Sequence, residues 1–121
     1  MCARVCPIQP SELSQVYDLM RDQDFPDTPD TFDEAVEYFK DTHVLALHYD
    51  GMLQAAFILL SFTDNAACLD VVCHPMAHGK WATKATLRQL YQQIFERFSL
   101  DYIWSEPKNK IAMKACFQAG F

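Results

Sequence analysis

A chain of 121 residues, half of them hydrophobic, can bury one core and is too short for two, so a single domain is expected over 1–121. The formal net charge of −6 disfavours nucleic acid as a general partner. There is no apolar run near the ~20 residues of a membrane helix and no secretory leader pattern. Five cysteines without regular spacing argue against a disulfide framework, so a reducing, cytoplasmic setting is expected.

Arg4 to Ile8 reads as a first strand. Pro10 then opens a helix near Ser11, with Leu13, Val16, Tyr17 and Met20 as its apolar stripe. Residues 21–29, acidic and broken by prolines, read as a loop. A second helix is predicted from Thr28 or Thr31, with Thr31 and Glu34 spaced as a capping box and Phe32, Ala35, Val36 and Phe39 facing inward. His43–Tyr49 and Met52–Phe62 are strands joined by Asp50-Gly51, a strong hairpin signal. Thr63-Asp64-Asn65 makes the next turn.

The most informative stretch follows. Cys68 to Cys73 is an apolar strand that His74-Pro75 stops, because proline cannot donate to a ladder. The turn Met76-Ala77-His78-Gly79 leads to a long helix predicted from Lys80, with Leu87, Leu90, Tyr91, Ile94 and Phe98 on one face. Asp101–Ser105 is a further strand, and Lys110–Ala119 a last helix closed by Gly120. The order is β-α-α-β-β-β-α-β-α, an α/β domain. A strand that feeds a helix through glycine aims backbone N–H groups at one point, which suits an anion. The charge changes sign at the same place. Residues 1–79 carry 3 basic and 13 acidic side chains, whereas residues 80–121 carry 7 and 3. Solvated helix faces are the ordinary explanation, and a polyanionic ligand at the basic end is the sharper one.

Element order and punctuation together resemble the GNAT superfamily of acyl-CoA-dependent N-acetyltransferases. In that family the fourth strand ends in a V-x-P-like step, then an Arg/Gln-x-x-Gly-x-Gly/Ala turn before the long helix. Residues 72–83, VCHPMAHGKWAT, have that length and layout. The family also shows Asn, then Ala three, Tyr seven and Gly-Phe eleven and twelve residues later. Asn109, Ala112, Cys116, Gly120 and Phe121 stand at those offsets. The departures are His78 for the usual arginine, Trp81 for the second glycine and Cys116 for the tyrosine. The chain also ends where the family adds two more strands, so the expectation is a GNAT-like domain lacking them, with an exposed sheet edge that favours a homodimer.

The resemblance implies a mixed, mostly antiparallel sheet flanked by helices, and transfer of an acetyl group from acetyl-CoA to an amine. The fourth strand would be splayed from the fifth, its open edge pairing with the pantetheine arm. Val71 and Val72 would offer backbone groups, one N–H polarising the thioester carbonyl. Backbone N–H groups of His78, Gly79, Lys80, Trp81, Ala82 and Thr83 would hold the pyrophosphate, and Asn109 the pantetheine arm. Lys80, Lys84 and Lys110 would add charge. An indole at Trp81 would crowd the place where glycine lets the backbone approach.

An amine nucleophile must lose a proton. Asp70 is the candidate base, since a carboxylate in an apolar strand is desolvated and its pKa raised; a polar sheet face is the plainer alternative. Glu106 and His74, at the strand ends, are second candidates. Cys116 is either the acid that reprotonates the leaving thiolate or a small core residue. The acidic loop with Asp22, Asp24 and Asp27 lies where the family builds acceptor specificity, facing a small-molecule or peptide amine. Cys73, His74 and His78, with Cys2 and Cys6, lack the paired spacing of a structural zinc site, and no metal is expected. A second reading stays open: a GNAT-shaped protein without catalysis, acting in assembly or interaction, of phage type.

Overall fold

The computed structural model describes residues 3–23, 25, 28–77 and 80–105. His78, Gly79, Glu106, Asn109 and Cys116, and the helix expected over 110–119, lie outside the described residues.

Strands β1 (Ala3–Pro7), β2 (His43–Tyr49), β3 (Met52–Leu60), β4 (Ala66–Cys73) and β5 (Tyr102–Trp104) form one sheet in the spatial order β1-β2-β3-β4-β5. The first four pair antiparallel and β5 joins β4 in parallel. This is the mixed, mostly antiparallel sheet expected. The Asp50-Gly51 hairpin forms with both residues at positive φ, 51° and 82°, as a tight turn with the right-handed twist of the strands requires.

Helices α1 (Leu13–Asp22) and α2 (Phe32–Lys40) cover one face, and α3 (Lys84–Phe98) the other. Alternation along the strands sorts the core between them. Leu45, Leu47, Ala55, Phe57, Leu59, Ala67 and Leu69 pack toward Leu90 and Ile94 of α3. Val44, Ala56, Ile58 and Val72 pack toward Val16, Tyr17, Met20, Ala35 and Phe39. The odd–even rule breaks at one point. A bulge sets Leu47 opposite Ala55 but His48 opposite Leu53, so Gln54 is an extra residue. Beyond it Leu53 changes face and joins the α1–α2 core.

Several element ends move from their expected places. A 3-10 turn over Pro10–Glu12 precedes α1, tied by Gln9 N–H to Glu12 Oε1 at 2.9 Å. Arg21 and Asp22 extend α1 instead of opening a loop. Thr31 caps α2 by accepting Glu34 N–H at 3.2 Å, but Phe32 is exposed and leans on Tyr17 from outside the core. The third helix starts at Lys84 and not at Lys80, because Thr83 is its N-cap: extended at φ −77° and ψ 160°, it accepts Thr86 N–H through its hydroxyl.

Candidate active site

Among the described residues, β4 is paired along its whole length on one side only. Tyr102–Trp104 pair only with Ala66–Cys68, and among the described residues no strand lies beside Leu69–Cys73 on that side. The opposite side of this segment is fully paired, from Ala55 with Cys73 to Leu60 with Cys68. Successive N–H groups in a strand alternate sides, so of Val71 and Val72 one N–H faces β3 and the other faces the open edge. Val72 is buried in the α1–α2 core and Val71 packs on the α3 core. Asp70 therefore projects to the α1–α2 side with Val72, half-buried and opposite Ile58. It sits level with the stretch where β5 has ended, beside an apolar face, with Cys68 Sγ at 3.9 Å from Oδ1.

The turn after β4 is tightly bonded to itself. His74 N–H continues the β3–β4 ladder to the Gln54 carbonyl at 2.7 Å, and Pro75–Ala77 form a 3-10 turn. His74 Nδ1 accepts Met76 N–H at 3.2 Å, which occupies one ring nitrogen of that candidate base. Lys80 and Trp81 N–H both donate to the Ala77 carbonyl, at 3.0 and 3.2 Å, and Thr83 N–H donates to Trp81 at 2.9 Å. Of the turn's expected phosphate donors, these three are used within the chain. At the start of α3 the Thr83 hydroxyl takes Thr86 N–H, so the Lys84 and Ala85 N–H groups are left without an acceptor among the described residues.

Trp81 does not crowd this place. Its side chain is 6% exposed and packs in the α3-side core, its ring 5.4 Å from that of Phe57 and tilted by 59°. Lys80 and Lys84 are both exposed, and the first turn of α3 carries no acidic residue. That is the reverse of what a free helix dipole favours, and α2, with Asp33 and Glu34 in its first turn, shows the usual choice. Burial pushes the Cys73 thiol up to about 11, so it stays a neutral thiol at the end of β4. Among the described residues no three His, Cys, Asp or Glu side chains converge as metal ligands would.

A polar groove lined by Gln89, Gln92, Gln93, Glu96 and Arg97 runs along β1, at the far edge of the sheet. None of the expected site residues lines it. A side-chain cluster without any sequence signal lies elsewhere: Cys6, His48 and Glu12, on β1, β2 and the first 3-10 turn, are hydrogen-bonded in series. They are 36 and 42 residues apart, and no local spacing could have signalled them.

No protein-family model matches the chain, and no curated protein matches it. Solved structures do. The ribosomal-protein-alanine N-acetyltransferase of Brucella melitensis biovar Abortus 2308 superposes with a TM-score of 0.74 at 16% identity, over 98% of this chain and 90% of that one. A spermidine N-acetyltransferase of Vibrio cholerae in complex with CoA and spermine gives 0.75 at 16% identity, over 98% and 79%. AAC(6')-Iy, in complex with the bisubstrate analogue CoA-S-monomethyl-acetylneamine, gives 0.73 at 14% identity, over 100% and 91%. The chain has the GNAT fold.

Proposed function

We propose that this GNAT-fold chain transfers an acetyl group from acetyl-CoA to an amine. The observation that carries the reading is β4, whose edge over Leu69–Cys73 has no neighbouring strand among the described residues and leads to a turn and helix start that carry Lys80 and Lys84. Open main-chain groups suit the amide-bearing pantetheine arm as a pseudo-strand. The Lys84 and Ala85 N–H groups, with the Lys80 and Lys84 ammonium groups, suit the pyrophosphate. That three inner N–H groups are already bonded moves the phosphate contact toward α3 and leaves the fit intact.

Acetyl-CoA would supply the activated thioester carbonyl. The outward N–H of Val71 or Val72 donates to the carbonyl oxygen and stabilises the charge it gains as the amine attacks. Asp70 accepts the proton that the amine must lose, directly or through one water. Its place on the α1–α2 side of β4 sets the acceptor on that side. Cys116 remains the proposed donor to the leaving thiolate, with Asn109 on the pantetheine arm and Glu106 as a second base; all three lie outside the described residues.

Calorimetric titration of acetyl-CoA tests the binding half. The expected result is micromolar affinity, weakened at least tenfold in Lys84→Glu. With binding established, Asp70→Asn should lower acetyl transfer to a mixture of polyamines by ~10²–10⁴-fold and leave CoA affinity unchanged. No binding at millimolar ligand would favour the other reading, a GNAT-shaped protein with an interaction role.

A further inference from the structure

We propose that Cys6 is a nucleophilic thiol, activated by His48 and oriented by Glu12, that hydroperoxides oxidise to a sulfenic acid. The site lies outside the acetyl-transfer machinery. Cys6 pairs with Ala46 across the β1–β2 ladder, and His48 projects from the same face two residues further along β2. Glu12 ends the 3-10 turn that leads into α1. Cys6 Sγ stands 3.8 Å from His48 Nδ1, and Glu12 Oε2 stands 2.6 Å from His48 Nε2. His48 and Glu12 side chains are each only 16% exposed, and Cys6 is half-buried.

The two ring nitrogens have different partners, and this decides the chemistry. A carboxylate on Nε2 holds the ring proton there, so Nδ1 presents its lone pair to the thiol. Burial alone would raise the Glu12 carboxyl. The Gln9 N–H and His48 outweigh it and keep the group below its ordinary 4.5, hence ionised. The thiol proton can then pass to Nδ1, leaving a thiolate beside an imidazolium whose far side is bonded to a carboxylate. Nucleophile, base and orienting acid stand in the serial order that thiol activation needs. Arg4, exposed and directly opposite His48 in the ladder, adds positive charge on the same face. The β1–β2 register is unbroken here, so Cys6 and His48 keep a common face, while the extra residue of the neighbouring bulge, Gln54, belongs to β3. Cys73, with its thiol pushed up to about 11, and buried Cys68 supply internal contrast.

In the reaction the Cys6 thiolate attacks one peroxide oxygen. The S–O bond forms as the O–O bond breaks, sulfur gives up two electrons, and the peroxide is reduced. The leaving hydroxide takes the proton from His48 Nδ1 and departs as water.

The test exposes the full chain to hydrogen peroxide with dimedone, which traps sulfenic acids, and measures the adduct at each of the five cysteines by peptide mass spectrometry across pH. Cys6 should carry most of the adduct, and the midpoint of its trapping rate against pH is recorded. His48→Asn should slow trapping at least tenfold, and Glu12→Gln should move the midpoint upward. Far-UV circular dichroism checks that each variant is folded, and Glu12→Gln carries the comparison if His48→Asn is not. A Cys6 rate equal to that of the chain in denaturant, or a midpoint unmoved by Glu12→Gln, would overturn the proposal.

Discussion

Trp81 shows how a single residue can mislead when its side-chain direction is unknown. By alignment to the family pattern it occupies a glycine position, which reads as an obstruction; in the fold its indole is core, stacked near Phe57. Trp81→Gly, though it restores the family's residue, should therefore destabilise the protein by roughly 3–5 kcal/mol, the cost of emptying a large aromatic site. Urea unfolding of the variant checks this, and an unchanged midpoint would mean the indole is not packed. Glu12 carries a second prediction. Its carboxyl is held below 4.5 in the fold, so the unfolded chain binds that proton more tightly. The stabilisation is present above about 4.5 and is lost as pH falls through the lower, folded value. Glu12→Gln should flatten that acid limb in a pH series of thermal melts, while the wild type steepens there.

Elements depend on one another through few but specific contacts. Sheet edges expose unpaired N–H and C=O groups, and β1 is such an edge. Gln89 of α3 covers it: Oε1 accepts Val5 N–H at 2.9 Å and Nε2 donates to the Ala3 carbonyl at 3.0 Å, as a neighbouring strand would. Gln89→Ala should cost about 1–3 kcal/mol from two lost bonds and speed amide exchange at Val5. Should Val5 exchange stay at the wild-type rate, the contact is not maintained in solution. β4 presents the opposite case. Its edge over Leu69–Cys73 has no such cover from the described residues, and it is where the proposed ligand would bind.

At the scale of the molecule, the sheet divides two apolar cores, with α3 on one side and α1 and α2 on the other. The proposed acetyl-CoA contacts belong to both, since β4 contributes to each core and α3 to one. Binding there should be linked to folding of the whole. At a hundredfold excess over the dissociation constant, acetyl-CoA should add ~2.7 kcal/mol to global stability and raise the melting temperature accordingly. Hydrogen exchange should slow most at Leu69–Cys73. Slowing confined to the groove by Gln92 and Arg97 would place the ligand elsewhere.

What could be read without coordinates follows from local chemistry. Among the described residues, periodicity located five strands and three α-helices, Asp50-Gly51 closed its hairpin, and Thr31 capped its helix, because each depends on neighbours within four residues. The pattern around Gly79 and Asn109 carried the resemblance that the superposed structures bear out at the level of fold. Other features depend on contacts between distant segments. Trp81 is drawn into the core against Phe57, 24 residues earlier, which a pattern read along residues 72–83 cannot register. Cys6, His48 and Glu12 have nothing in common along the chain. Only the register of β1 on β2, and the fold of the 3-10 turn that carries Glu12, bring a thiol, an imidazole and a carboxylate within bonding distance.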